Sequence, residues 1–364
     1  MLYKVNLRKG IIISAVIGEL VKFCCPQCLH LLTEKGNFLI CEYCMREYPI
    51  RERIPLFSRG DYYFADIAEN DMDTLLNISL QNGWKVGLHD FLRKKNHGMY
   101  KIASDESRSD WRFMFSLSEN SRVLDMGCGL GGISLALAQR CGEVISMDCS
   151  LKRLKFLDMR AEQESIKNIF PVCGGDTLKL PFPNEYFDLV VLNGVLEWLG
   201  IFHRELKPKE VQLAKLKDIY RILKNGGNLY IGIENRMSYV NFLGAKDHSG
   251  LRFTALMPRR VADLYCKIRT GQEYRTYTYS LNGYKRLLKK ANFSHIDIYA
   301  TIPTYRDVFF LASVDDTKTM DYFFRYLLHI HSFKRKVIAS FSRVLLRIRL
   351  FRFFLPEYGI VARK

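Results

Sequence analysis

Hydrophobic and polar positions along the 364 residues change rhythm several times, and each change marks an element. The stretch from about 60 to 118 is polar and mixed, and only Asp71–Leu80 and Ser109–Leu117 carry a helical spacing of apolar residues. From residue 119 onward short apolar runs alternate with amphipathic ones. Strand patterns occupy Arg122–Asp125, Glu143–Asp148, the residues leading to Val172, Phe187–Asn193, Asn228–Ile233, His295–Ala300 and the final Gly359–Lys364. Helix patterns occupy Ile133–Ala138, Leu216–Leu223 (turned by Lys224–Gly227) and Tyr284–Ala291. Alternating strand and helix predicts an α/β fold with a doubly wound, Rossmann-like sheet of seven strands.

Between Tyr322 and Leu355 the rhythm breaks again. Phe, Leu, Ile and Val mix with basic residues, as in Lys336, Val337, Phe341, Arg343, Val344, Leu345 and Arg347. This reads as basic amphipathic helices over 320–355, inserted before the last strand. Such helices suit an anionic membrane surface, an RNA, or a domain face with snorkelling lysines and arginines.

Composition narrows the picture. Hydrophobic residues make up 48 % of the chain, enough for a full core. No run of 18 apolar residues exists to span a membrane. The apolar run Ile11–Val16 is followed at once by Glu19 and Lys22, without a small-residue cleavage site, so it does not read as a signal peptide. The net charge of +17 points to anionic partners, and eight Lys or Arg with no Asp or Glu fall between Tyr322 and Pro356. Ten cysteines, four of them in two close pairs, fit a reducing compartment rather than a disulfide framework. A cytoplasmic protein, in peripheral contact with the inner face of a membrane, is the expectation.

The paired cysteines are Cys25 with Cys28, and Cys41 with Cys44, twelve residues apart. Two Cys-x-x-Cys knuckles point four thiolates at one ion, and the closed shell predicts a structural zinc ribbon. Cys24 is a spare thiol. The ending Tyr48-Pro49-Ile50 to Ile54-Pro55 resembles that of the small zinc-ribbon proteins that activate tRNA and ribosomal-RNA methyltransferases, with Arg53 replacing the usual glycine. Three units follow: 1–58 with the ribbon, 59–118 as connecting helices that form either a packing collar or a lid, and 119–364 as the main domain. Trp84, His89 and Trp111 in the connector read as packing residues.

The chemistry concentrates in the main domain. Asp125 ends the first strand, and Gly127, Gly129 and Gly131 follow in a turn that opens a helix. Glycines allow a sharp bend and close approach of a ligand. Nicotinamide enzymes use a similar turn, so the turn alone decides nothing. Asp148 ends the second strand 23 residues later, where a carboxylate can hold ribose hydroxyls. Asp176 precedes Leu180-Pro181-Phe182, and Phe187-Asp188 begins a buried strand that reaches Asn193 and then Glu197-Trp198.

This ordered set resembles the class I S-adenosylmethionine (SAM)-dependent methyltransferases, most of all the type 11 group, over about half the chain. The resemblance implies that Asp125, Gly127, Gly129, Gly131, Asp148, Asp176 and Asn193 form the SAM site. Asp125 would meet the amino-acid part, Asp148 the ribose and Asp176 the adenine amino group. Methyl transfer needs mainly positioning, plus a base if the acceptor is a hydroxyl. The segment after the fifth strand, 234–282, holds the candidates. Glu234, Asp247 and His248 are catalytic candidates, and Asn235, Arg236 and Arg252 would bind substrate. Ion pairs that merely cap the sheet are the alternative for these residues. The block from Ile233-Glu234-Asn235-Arg236 to Arg259-Arg260, with Tyr274 to Tyr279, also resembles methyltransferases associated with cell-surface glycan or glycolipid assembly. The expected acceptor is therefore a small molecule, a glycan or a lipid-linked intermediate. RNA gripped by the ribbon is the alternative, although Cys24–Cys44 holds only Lys35 against Glu34 and Glu42.

Overall fold

The computed structural model describes residues 21–60, 63, 66–328 and 333–364, with the side chains of 327, 333–338 and 341 also left aside. Ile11–Val16 and the basic residues around it lie outside the described residues, as do the side chains of Lys336, Val337 and Phe341.

Strands β1 (Thr33–Lys35), β2 (Phe38–Ile40), β3 (Glu47–Arg51) and β4 (Ile54–Pro55) form a small antiparallel sheet in that order. It does not stand apart from the rest. The Cys24 N–H donates to the Pro181 carbonyl at 2.9 Å, and the Phe57 N–H to the Cys173 carbonyl at 2.7 Å. Phe23 and Phe57 are buried with Phe182 in one aromatic cluster. So small a sheet has little core of its own, and this shared apolar contact holds it in place.

Next come α1 (Glu69–Asn82), α2 (His97–Ser104) and a 3-10 helix over Glu106–Met114. The helix expected over Ser109–Leu117 is thus tighter, and the chain is extended at Phe115. Trp111 explains the anchoring: it is fully buried and stacks on Tyr230 with ring centres 4.0 Å apart. Arg160 lies over the Trp84 ring at 3.9 Å, whereas His89 is exposed beside Asp90 and Arg93. Met72, Leu75, Leu92 and Met99 pack on Leu130, Phe156 and Met159.

The main sheet contains β5 (Arg122–Met126), β6 (Glu143–Asp148), β7 (Ile169–Cys173), β8 (Phe187–Asn193), β9 (Leu223–Glu234), β10 (His295–Thr304), β11 (Asp307–Ser313) and β12 (Glu357–Arg363). Between them lie α3 (Gly132–Ala138), α4 (Leu151–Gln163), α5 (Pro208–Ile222), α6 (Arg259–Thr270), α7 (Leu281–Lys290), α8 (Thr317–Leu328) and α9 (Phe333–Arg347). The order is β11-β10-β12-β9-β8-β5-β6-β7. The five strands from β7 to β9 run parallel, and β12, β10 and β11 are joined antiparallel. Central parallel strands are covered on both faces, which is why β8 reads as a nearly unbroken apolar run.

The expected seven strands are present, and an eighth, β11, extends the edge. It pairs with β10 across a two-residue turn, Tyr305-Arg306, that lacks the usual Gly or Asn signal. The final strand does close the sheet after the basic helices. Those helices dock through Met320, Phe323, Phe324 and Leu346 in the main core. Arg343 donates to Asp321 at 2.7 Å, and Arg352 pairs with Asp315. No helix among the described residues is long and apolar enough to cross a membrane.

Candidate active site

Strand order reverses between β5 and β8: the chain first adds β6 and β7 on one side, then β9 on the other. A crevice opens beyond the carboxyl ends of the strands at such a reversal. Here it is a cavity of about 750 Å³. Its walls include the glycine turn, Asn193 and Gly194 after β8, Glu234 after β9, and Asp247 and His248 from the following insertion. The connecting segment closes it with Asp66, Asn96, Met99 and Arg108, so that segment is a wall as well as a collar.

The turn is built by left-handed glycines. Gly131, at φ +84°, is packed so closely that a Cβ would come within 2.1 Å of Leu157 Cδ1. Gly129, at φ +57°, has open space where a Cβ would be. Its N–H donates to Asp148 Oδ2 at 3.0 Å, while Ser150 N–H donates to Oδ1 at 2.9 Å. Asp148 also borders a second hollow of about 140 Å³, lined by Gly174, Gly175 and Phe202 and meeting the first at Gly127 and Trp198.

Asp125 lies behind the turn rather than in the cavity wall. Its Oδ2 accepts from Ser134 Oγ at 2.6 Å, and burial pushes its carboxyl up to about 6, against the pull of Ser134 and Arg108. Asp176 is buried, and its Oδ2 accepts from the Arg59 N–H at 2.9 Å while Oδ1 has no hydrogen-bond partner. Asn193 is buried with both side-chain polar atoms unpartnered. Burying a polar group unpaired is costly, so such atoms mark where a polar ligand fits. The open space at Gly129 and the unpartnered polar atoms of Asn193 border the same cavity, which suits a polar ligand there.

Residues 124–231 match the family model of a methyltransferase domain (Methyltransf_11). The chain carries a methyltransferase domain. Its sheet is the Rossmann-like methyltransferase sheet with one added edge strand. The demethylmenaquinone methyltransferase of Lactiplantibacillus plantarum is 33 % identical over 150 residues, 39 % of this chain and 59 % of that protein. The ubiquinone/menaquinone biosynthesis C-methyltransferase of Neisseria meningitidis serogroup B is 33 % identical over 149 residues, 40 % of this chain and 56 % of that one. The malonyl-[acyl-carrier protein] O-methyltransferase of Legionella pneumophila is 36 % identical over 90 residues, 23 % and 31 % of the two chains. The chain thus spans little more than half the length of the first two relatives and less of the third.

A polar cluster gathers Glu197 from within the matched region with Glu234, His248, Tyr305 and Arg306 from beyond it. Glu234 Oε1 accepts from Tyr305 OH at 3.0 Å and from Arg306 Nη2 at 3.2 Å. His248 Nε2 lies 3.3 Å from Glu234 Oε2 and 3.8 Å from Glu197 Oε1. Burial and the Glu234 charge hold Glu197 up near 8. Burial works against ionisation of Glu234, yet His248 and Arg306 bring its carboxyl below the usual range. Burial lowers the affinity of His248 for its proton, but Glu234 and Glu197 outweigh this and raise it.

The other candidates do different work. Asp247 accepts from Ser249 N–H at 2.8 Å and from Tyr274 OH at 3.0 Å, tying its loop. Asn235 touches the cavity, but its amide donates to the Phe353 and Leu355 carbonyls. Arg236 donates to the carbonyls of Ala255 and Met257, and Arg252 is exposed away from the cavity wall. Sequence reasoning named Glu197 only as part of a motif and missed Tyr305 and Arg306. Those two reach the site because β10 lies two strands from β9, an adjacency without a local signal.

In the ribbon the four sulfurs converge. Cys25 Sγ lies 3.5 Å from Cys44 Sγ, and Cys28 Sγ lies 3.4 Å from Cys41 Sγ and 3.6 Å from Cys44 Sγ. None is in a disulfide.

Proposed function

We propose that this chain transfers a methyl group from SAM to a small-molecule, glycan or lipid-linked acceptor held in the main cavity. One observation carries the reading: the glycine cradle and the Glu234–His248 pair face the same cavity. SAM, when bound, supplies an electrophilic methyl group. The chain's own residues then position and exclude water. Gly129 and Asn193 would receive the amino-acid end, Asp148 the ribose, and Asp176 Oδ1 the adenine amino group. Asp125 acts one step back, by holding Ser134 beneath the turn. Glu234 and His248 meet the acceptor's reacting group, and Asp247 positions the loop that carries His248.

Cys25, Cys28, Cys41 and Cys44 would hold one structural zinc ion; an all-thiolate shell leaves no position for chemistry. The ribbon packs on the domain with the aromatic face that includes Phe23 and Phe57, which favours a propping role over an RNA grip. Exposed Val344, Ile348 and Leu350 beside Arg347 and Arg349 offer a surface for an anionic membrane carrying the acceptor. Cosedimentation with anionic liposomes that is unchanged in Arg347→Glu/Arg349→Glu would remove that part.

The decisive experiment incubates the protein and methyl-labelled SAM with a cell extract, then separates lipid-glycan, small-molecule and RNA fractions. Label in the first two supports the reading, provided Glu234→Gln abolishes it while SAM still binds. Label in RNA overturns the acceptor class, and no label in any fraction overturns the activity.

A further inference from the structure

Glu197 presents an unusual problem. It is completely buried in the short turn after β8, and neither carboxylate oxygen has a hydrogen-bond partner. Glu234 Oε2 and His248 Nε2 are buried and equally without a hydrogen bond, although they lie 3.3 Å apart. The donor atoms of all three residues lie within 4.8 Å of one another. Glu234 turns its other oxygen to Tyr305 and Arg306. Two carboxylates and an imidazole thus aim ligand atoms at one point, while neighbours hold one of them in place from behind.

We infer that Glu197, Glu234 and His248 bind a divalent transition-metal cation at the acceptor end of the cavity. Ligands about 2.0–2.2 Å from a common ion stand roughly 3–3.5 Å apart; Glu234 and His248 already have that spacing at 3.3 Å, and Glu197, 3.8 Å from His248, closes in by a few tenths of an ångström on binding. Two oxygens and one imidazole nitrogen suit Mn²⁺, Fe²⁺ or Zn²⁺ better than a purely oxygen-seeking ion. The ion neutralises a charge that burial alone makes costly. Three protein ligands leave positions open, and Glu234 and His248 both line the cavity. An acceptor oxygen, from a hydroxyl or carboxylate, would complete the shell. The cation site stands on geometry alone, whereas its role with an acceptor rests on the methyl-transfer reading.

Mn²⁺ is the probe of choice, because the thiolate ribbon prefers Zn²⁺ and can be kept loaded with it. Full-length protein without SAM is titrated with Mn²⁺, and free ion is followed by electron paramagnetic resonance. One ion bound per chain is expected, with affinity at least roughly tenfold weaker in the isosteric Glu197→Gln and in His248→Gln. SAM binding to the same variants is measured separately and should be retained, so failure of the cation site and failure of the SAM site are told apart. No saturable Mn²⁺ binding up to roughly 1 mM, the weak end of specific affinity, overturns the inference. So does binding that survives both substitutions.

Discussion

The backbone N–H of Arg59 donates to Oδ2 of Asp176 across 2.9 Å. Arg59 follows the ribbon directly, so the small sheet reaches the nucleoside end of the proposed SAM site. Its guanidinium also contacts the Asp176 and Phe202 carbonyls. Loss of the zinc proposed for the ribbon, in Cys28→Ser, should release this contact. A lost hydrogen bond to a charged group corresponds to a SAM affinity weaker by about tenfold to a hundredfold. Calorimetric titration with SAM checks it; unchanged affinity in a zinc-free variant would sink the link.

Two glycines of one turn should fail in different ways. Gly131→Ala meets Leu157 and keeps a left-handed backbone, so stability should fall by about 2–3 kcal/mol in urea unfolding. Gly129→Ala has room for its methyl group and bears only the backbone strain, roughly 1–2 kcal/mol. That methyl occupies the cradle, so SAM affinity should drop more than stability. Equal losses in both variants would mean the open space is not the binding surface.

Asp125 gives the ligand-free protein a pH signature. Its carboxyl is raised from 3.8 to about 6, so the folded chain holds the proton more tightly than the unfolded one. The group's contribution is fully present below about 4 and is lost as pH rises through about 6. Asp125→Asn keeps an acceptor for Ser134 and carries no charge. Its stability relative to the parent should therefore improve between pH 4 and pH 7.5, by up to roughly 3 kcal/mol. Urea unfolding at the two values measures this, and a pH-independent difference would contradict it.

Trp111 ties the connecting segment to the sheet by stacking on Tyr230. Trp111→Ala should cost about 3–5 kcal/mol by leaving a cavity. Thermal unfolding and SAM titration together separate this from a ligand contact: stability falls, while affinity at a temperature where the variant is folded stays within a few-fold.

Much of the core is local and was therefore legible. The glycine turn, Asp125, Asp148 and the apolar strand into Asn193 are runs whose period and punctuation follow from backbone geometry. The cysteine knuckles are legible for the same reason, since each turn places its own pair. The closing strand Glu357–Arg363 was also readable, because an apolar run after basic helices needs a partner sheet. Strand β11 was not, as its turn uses Tyr305-Arg306.

What only the tertiary structure decided is who meets whom. Glu197, Glu234, His248, Tyr305 and Arg306 come from four separate stretches of chain. They converge because the strand order places β8, β9 and β10 near one edge of the crevice. It also decided that the side chains of Asn235 and Arg236 donate to backbone carbonyls, and that Arg343 and Arg352 pair with acids. A side chain's residue type sets what it can donate or accept. Which partner it finds depends on long-range packing, and no short window of sequence contains that.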